Sequence, residues 1–139
     1  MANAREDFFK QKHFAVVGAS KDQTKYGTKV LKWYQARDID VTPIHPVQSE
    51  LEGLKTIKSV AELATPTETS ISIITPAPIT LEVLKKASEL NVPSIWLQPG
   101  AEDATVIEFI DNSDLKGKVV YGGPCVLVEG DSLRAKASL

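Results

Sequence analysis

The sequence has 139 residues, of which 42% are hydrophobic and 24% charged, and its formal net charge is −2. This length predicts one domain over 1–139 with one hydrophobic core, and the absence of a basic stripe or acidic tail argues against a nucleic-acid partner. The sequence has no apolar run near the roughly 18 residues of a membrane span, and its N-terminus is too charged for a signal peptide. A single cysteine, Cys125, fits a reducing compartment. We therefore expect a cytoplasmic protein without a membrane partner.

The first third of the chain predicts a helix, a strand and a second helix. Asn3 followed by Glu6 resembles a helix cap, so residues 5–10 are predicted as a short helix. The unbroken apolar run 14–17 is typical of a strand covered on both faces. Apolar residues at helical spacing then begin after Lys25.

Residues 41–44 predict a second strand, which contains a proline. Pro43 has no N–H to donate to a ladder, so this strand is expected at an edge or unpaired on one side. The polar stretch 48–58 around Gly53 is predicted as a loop, and a capping box at Ser59 begins a short helix.

The second half of the chain continues the alternation. Strand 70–74 ends at two prolines, of which Pro78 can sit in the first turn of the next helix. Asn91 can close that helix in the left-handed conformation. The remaining predicted elements are strand 94–97, helix 102–110, strand 118–121 and a loose tail over 134–139.

This alternation predicts an α/β domain with a mainly parallel sheet of about five strands, helices on both faces and right-handed crossovers. Ligands of such sheets bind beyond the carboxyl ends of the strands, where strand order reverses. The loops at those ends are small, rigid and nearly uncharged, which favours a nucleotide crevice. They are residues 18–20, 45–46, 75–78, 98–100 and 122–125.

The turn after the first strand is a candidate phosphate site. Gly18, Ala19 and Ser20 keep side chains small where a phosphate would approach the backbone, and the following helix N-terminus supplies N–H donors. Lys21 and Lys25 can meet phosphate charge. We expect Gly18→Val to fold but not to bind.

Candidate catalytic residues are few, and no spacing of metal ligands is present. His13 starts the first strand, at the end of the sheet opposite the crevice. His45 stands where an NAD enzyme has an acidic residue, which disfavours NAD but leaves NADP or another adenine nucleotide. No carboxylate lies near His45 in the sequence to orient it as a base. Cys125 can reach the crevice or pack as an inert thiol, and Trp96 is expected in the core. We predict no catalytic residue and no metal site.

Several segments together resemble the single-domain CoA-binding protein family over nearly the whole chain. They are Val-Val-Gly-Ala-Ser at 16–20, Tyr-Gly at 26–27, Val-Thr-Pro-Ile-His-Pro at 41–46, Gly53, Trp-Leu-Gln-Pro-Gly at 96–100 and Cys125. That family is similar to the CoA-binding domain of the succinyl-CoA synthetase alpha subunit and has a Rossmann-type fold. His45 stands where the family usually has Asn, and Val47 where it often has a basic residue.

The resemblance implies a three-layer Rossmann-like, doubly wound sheet with strand order 3-2-1-4-5, whereas Pro43 favours a flavodoxin-like order with the second strand at the edge. The implied ligand is CoA or an acyl-CoA, with NADP as a second candidate. By resemblance, the phosphate turn is lined by Gly18, Ala19, Ser20, Tyr26 and Gly27, with Thr75, Pro76 and Gln98 on the opposing side. Position at the strand ends adds Lys25, His45, Pro46, Gly100 and Cys125 to the predicted site.

The expected function is binding of CoA or an acyl-CoA without catalysis by the isolated chain. One alternative is an NAD(P)- or acyl-CoA-dependent enzyme that uses His45 or Cys125. Another is an interaction module with a vestigial nucleotide site. Nothing in the sequence indicates the oligomeric state.

Overall fold

A parallel five-stranded sheet with helices on both faces forms the body of the molecule in the computed structural model, which describes residues 4–137. The predicted α/β class is confirmed. In chain order the elements are α1 (Ala4–Phe8), β1 (His13–Val17), α2 (Tyr26–Gln35), β2 (Val41–Ile44), β3 (Glu50–Leu51), β4 (Leu54–Lys55), two short 3-10 helices (Val60–Glu62 and Pro66–Glu68), β5 (Thr69–Ile73), α3 (Ala77–Glu89), β6 (Ser94–Leu97), α4 (Ala104–Asp111), β7 (Val119–Val120) and α5 (Val126–Ala137).

The strands lie in the order β2-β1-β5-β6-β7, and all neighbours are parallel. Numbered one to five along the chain, this order is 2-1-3-4-5, so the predicted order 3-2-1-4-5 is wrong. The segment after β2 does not add a full strand. It forms the antiparallel β3–β4 hairpin and then a single parallel bridge between Ile57 and Ile44.

Pro43 explains why β2 lies at the edge. Its carbonyl accepts a hydrogen bond of 3.2 Å from the Ile57 N–H, on the side away from β1. The N–H and C=O of one strand residue point to the same side, so the missing donor of Pro43 also faces outward. No backbone hydrogen bond between β2 and β1 is therefore lost, which is the reason that a strand containing proline lies at the edge of a sheet.

The sheet separates two hydrophobic cores, because alternate side chains of a strand point to opposite faces. On β1, Ala15 and Val17 pack toward α3 and α4, while Phe14 and Val16 pack toward α1, α2 and α5. Trp96 belongs to the second core and is fully buried, as predicted, and its indole N–H donates to the Pro124 carbonyl. Three layers result, with the carboxyl ends of the strands at one edge.

Three local predictions can be compared with the structure. The capping box at Ser59 and the left-handed Asn91 (φ 59°) are both confirmed. The predicted loop 48–58 instead contains the hairpin, whose turn places Glu52 and Gly53 at φ values of 51° and 79°. The predicted cap at Asn3 lies outside the described residues.

The C-terminal segment is helical up to Ala137, so the prediction of a loose tail from Arg134 is wrong for the described residues, and 138–139 lie outside them. Helix α5 packs on α2 because Gly130 lies against the Trp33 ring, where a Cβ would come within 2.3 Å. Arg37 adds two hydrogen bonds to Asp131, of 2.6 and 3.0 Å. No helix within 4–137 is long and apolar enough to cross a bilayer.

Candidate functional site

A crevice of about 480 Å³ lies beyond the carboxyl ends of β1, β2 and β5. The chain passes from β1 to β2 on one side of β1 and then crosses to β5 on the other side, so the crevice lies at the point where strand order reverses. Ten predicted site residues line it: Gly18, Ala19, Ser20, Lys25, Tyr26, Gly27, His45, Pro46, Thr75 and Pro76. Sequence reasoning did not assign the other four lining residues, which are Val17, Ile44, Ile74 and Ile79.

Two glycines bring three backbone segments into contact at the base of the crevice. Gly18 has φ 112°, and a Cβ there would lie 2.0 Å from the carbonyl oxygen of Ile74. A Cβ at Gly27, in the first turn of α2, would lie 2.1 Å from the carbonyl oxygen of Gly18. These contacts argue against the expectation that Gly18→Val folds, since the added side chain would displace the backbone after β5.

The loop between β1 and α2 is held by its own polar side chains. The buried Thr28 hydroxyl lies 2.8 Å from the Ser20 carbonyl and also accepts from the Ser20 N–H. The Asp22 carboxylate accepts from the Thr24 hydroxyl at 2.6 Å and the Thr24 N–H at 2.9 Å. These two bonds, the side-chain bond first, lower the pKa of Asp22. These hydrogen bonds fix the shape of the loop.

This loop places the N-terminus of α2 at the crevice. Lys25 occupies the N-cap position and makes no side-chain cap, so the first-turn N–H groups have no acceptor from that side chain. The Lys25 side chain is exposed at the crevice. A helix N-terminus, a glycine turn and one ammonium group together suit an anionic group such as a phosphate.

His45 lines the crevice after β2 with its ring orientation fixed by the backbone. Its Nδ1 accepts from the N–H groups of Val47 at 3.0 Å and Gln48 at 2.9 Å. A neutral imidazole with an accepting Nδ1 carries its proton on Nε2. His45 can therefore donate a hydrogen bond to a ligand oxygen, whereas a general base would need an unprotonated nitrogen free to accept.

Tyr26 connects the crevice to the loop before α5. Its hydroxyl contacts the Cys125 thiol and lies 3.5 Å from Oε1 of Gln98. Gln98 is fully buried, and its Oε1 also accepts from the Val126 N–H at 3.1 Å. Burial first, and then Cys125, raise the pKa of Tyr26, so the phenol stays neutral. The predicted residues Gln98 and Cys125 therefore contact the crevice residue Tyr26 without lining the crevice themselves, and Gly100 does not line it either.

An adjoining cavity of about 300 Å³ continues the crevice between β2 and α3. The two spaces share Val17, Ile44, Pro46 and Ile79. Sequence reasoning missed this cavity, whose other lining residues are Lys58, Ser59, Val60, Glu82, Val83 and Lys86. The i, i+4 spacing of Ile79 and Val83 could have indicated this cavity, because both side chains line it from the same face of α3.

The remaining candidates lie elsewhere. His13 is at the amino end of β1, where its Nδ1 lies 2.5 Å from the Asp40 carboxylate. Opposite ends of a parallel sheet cannot contribute to one site, so His13 is separate from the crevice. Across residues 4–137, no three His, Cys, Asp or Glu side chains gather in a group that could hold a metal ion.

Comparisons with known proteins agree on the family and the fold. The profile of a family described as CoA binding domain matches residues 12–131. A conserved hypothetical protein from Pyrococcus furiosus is 35% identical, with a TM-score of 0.76, over 85% of this chain and 98% of that chain.

Two further solved structures share the fold at lower identity. A hypothetical protein from Pyrococcus horikoshii is 23% identical, with a TM-score of 0.80, over 94% of this chain and 89% of its own. A Thermus thermophilus protein is 24% identical, with a TM-score of 0.76, over 91% of this chain and 94% of its own. No curated protein matches the sequence.

Proposed function

This chain belongs to the CoA-binding domain family, and on that premise we propose that its crevice binds CoA or an acyl-CoA and that the isolated chain does no chemistry on it. The anion site at the base of the crevice carries this proposal. The Gly18 turn, the N-terminus of α2 and Lys25 meet there, in the position where a pyrophosphate would bind. The residues directly after β2 are His45 and Pro46, so the end of this strand lacks the carboxylate that would accept from an NAD ribose.

The nucleoside end and the pantetheine end of a CoA molecule would extend to opposite sides of this anion site, where the lining residues differ. Toward β2 and α3, the adjoining cavity offers apolar walls of Ile44, Pro46 and Ile79, which suit a flat purine ring. Toward α5, Tyr26 lines the crevice and its hydroxyl contacts the Cys125 thiol, and a pantetheine arm can extend on this side. His45 stands between the two ends and can donate from Nε2 to a ribose or phosphate oxygen.

Titration calorimetry with CoA, acetyl-CoA, NADH and NADPH tests the proposal. We expect CoA and acetyl-CoA to bind with similar affinity, because the crevice contacts described above recognise the nucleotide portion that the two ligands share. We expect no heat from NADH. The proposal fails if CoA and acetyl-CoA give neither heat nor a thermal shift at millimolar concentration. If NADH or NADPH binds under those conditions, the result would favour a dinucleotide-dependent enzyme. If none of the four ligands binds, the result would favour an interaction module with a vestigial nucleotide site.

The second candidate function is an acyl-CoA-dependent enzyme that uses His45 or Cys125. The contact between Cys125 and Tyr26 favours it, because this contact holds a thiol next to a residue that lines the crevice. We expect no steady hydrolysis of acetyl-CoA by the isolated chain, since the orientation of His45 makes it a donor and, among residues 4–137, backbone N–H groups rather than a carboxylate hold its ring. Release of free thiol measures this. Steady release that His45→Ala or Cys125→Ser abolishes, while both variants remain folded, would establish the enzyme instead.

A further inference from the structure

The adjoining cavity is apolar inside but has charged side chains at its rim. Val17, Ile44, Val60 and Val83 supply the walls, while Lys58, Glu82 and Lys86 reach it from two sides. A neutral acyl chain bound in this cavity would offer no charged group to these three side chains, so the rim favours a ligand that carries charge.

The two charges on α3 already have partners along their own helix. Lys86 forms an ion pair with Glu89 at 2.9 Å, and Glu82 lies 4.0 Å from Lys85. Lys58 is different. It is exposed, and within the part of the chain that the structure describes its ammonium group has no ion-pair partner.

The Lys58 backbone is also held in place. Its N–H donates to Glu62 at 2.6 Å, as part of the capping arrangement that begins at Ser59. Because Ile44 pairs with the neighbouring Ile57, Lys58 is fixed at the outer edge of β2. A cation without an ion-pair partner among the described residues thus lines the apolar adjoining cavity, which shares Val17, Ile44, Pro46 and Ile79 with the crevice that Gly18 lines.

We propose that Lys58 recognises a phosphate on the ribose of the bound nucleotide and so selects 3′-phosphorylated CoA over dephospho-CoA. This inference rests on the proposed function, because it assumes that the nucleoside end of the ligand occupies the adjoining cavity. In that pose the α2 N-terminus and Lys25 hold the pyrophosphate on the 5′ side of the ribose, so a second phosphate on the 3′ side needs its own cation. Lys58 is the rim cation that is not already paired, with Lys86 as a weaker contributor.

The test titrates CoA and dephospho-CoA into the wild type and into Lys58→Gln. Lys55→Gln is the matched control, because Lys55 is an exposed lysine of the neighbouring β4 strand that does not line the cavity. We expect the wild type to prefer CoA by about tenfold. Lys58→Gln should weaken CoA binding by about five- to tenfold, leave dephospho-CoA affinity unchanged and so remove the preference. Lys55→Gln should bind both ligands as the wild type does.

The outcomes separate this inference from its premise. If the wild type binds both ligands equally, or if Lys58→Gln weakens both to the same extent, Lys58 does not recognise the phosphate although the crevice binds CoA. If the wild type binds neither ligand, the proposed function fails and this inference with it. A loss of CoA affinity in Lys55→Gln as large as that in Lys58→Gln would mean a general charge effect and overturn the inference.

Discussion

Replacing Gly27 with alanine is expected to destabilise the protein by about 3 kcal/mol or more. Helix propensity alone predicts the opposite sign, since alanine is favoured over glycine within a helix by about 1 kcal/mol. The steric term decides, because the new Cβ would lie 2.1 Å from the carbonyl oxygen of Gly18 and 3.1 Å from the Ala19 nitrogen. Both contacts are with backbone, so no side-chain rotation can relieve them. Helix α2 would have to move away from the turn.

Gly53→Ala provides the control for this prediction. Gly53 has φ 79°, and a Cβ added there would have no atom within 4 Å, so alanine meets conformational strain without a collision. That strain costs roughly 1–2 kcal/mol. Urea denaturation of the two variants gives the comparison, and Gly27→Ala should be the less stable. If Gly27→Ala is as stable as the wild type, α2 is not held against the Gly18 turn as described.

The regular elements were predictable because they depend on local patterns. Residues 41–44 and 94–97 are β2 and β6 with the predicted bounds, since a strand between helices needs apolar residues on both faces. The carboxyl ends of parallel strands lie at one edge whatever their order. For this reason ten of the thirteen predicted site residues line one crevice even though the predicted strand order was wrong.

The features that sequence reasoning missed depend on contacts between distant segments. Helix α5 contains Gly130, which is unfavourable in a helix interior, and only its fit against the Trp33 ring explains its position. The strand order depended on whether the third predicted strand, which is β5, pairs with β2 or with β1. The adjoining cavity forms only because Val60 is brought opposite α3. The packing of Gly130 on Trp33 and the pairing of β5 with β1 leave no periodic signal in the sequence.

Replacing Ile79 with glutamate is expected to lower CoA affinity by about tenfold or more, equivalent to at least about 1.4 kcal/mol, with little change in stability. Ile79 lines both the crevice and the adjoining cavity, so a carboxylate there would face a ligand that carries several phosphate charges. The side chain is 51% exposed, so little buried contact is lost. Ile79 is also the third residue of α3, where an acidic side chain interacts favourably with the helix dipole.

Val128→Glu is the matched control, because Val128 is also an exposed β-branched residue, 80% exposed, and also the third residue of its helix. It lines neither cavity. The two variants therefore add the same charge in the same helical context and differ in whether that charge faces the crevice. Calorimetric titration with CoA, together with thermal unfolding of each variant, should show a loss of affinity for Ile79→Glu alone. Equal losses in the two variants would mean that net charge governs binding, and wild-type affinity in Ile79→Glu would place the CoA site outside this crevice.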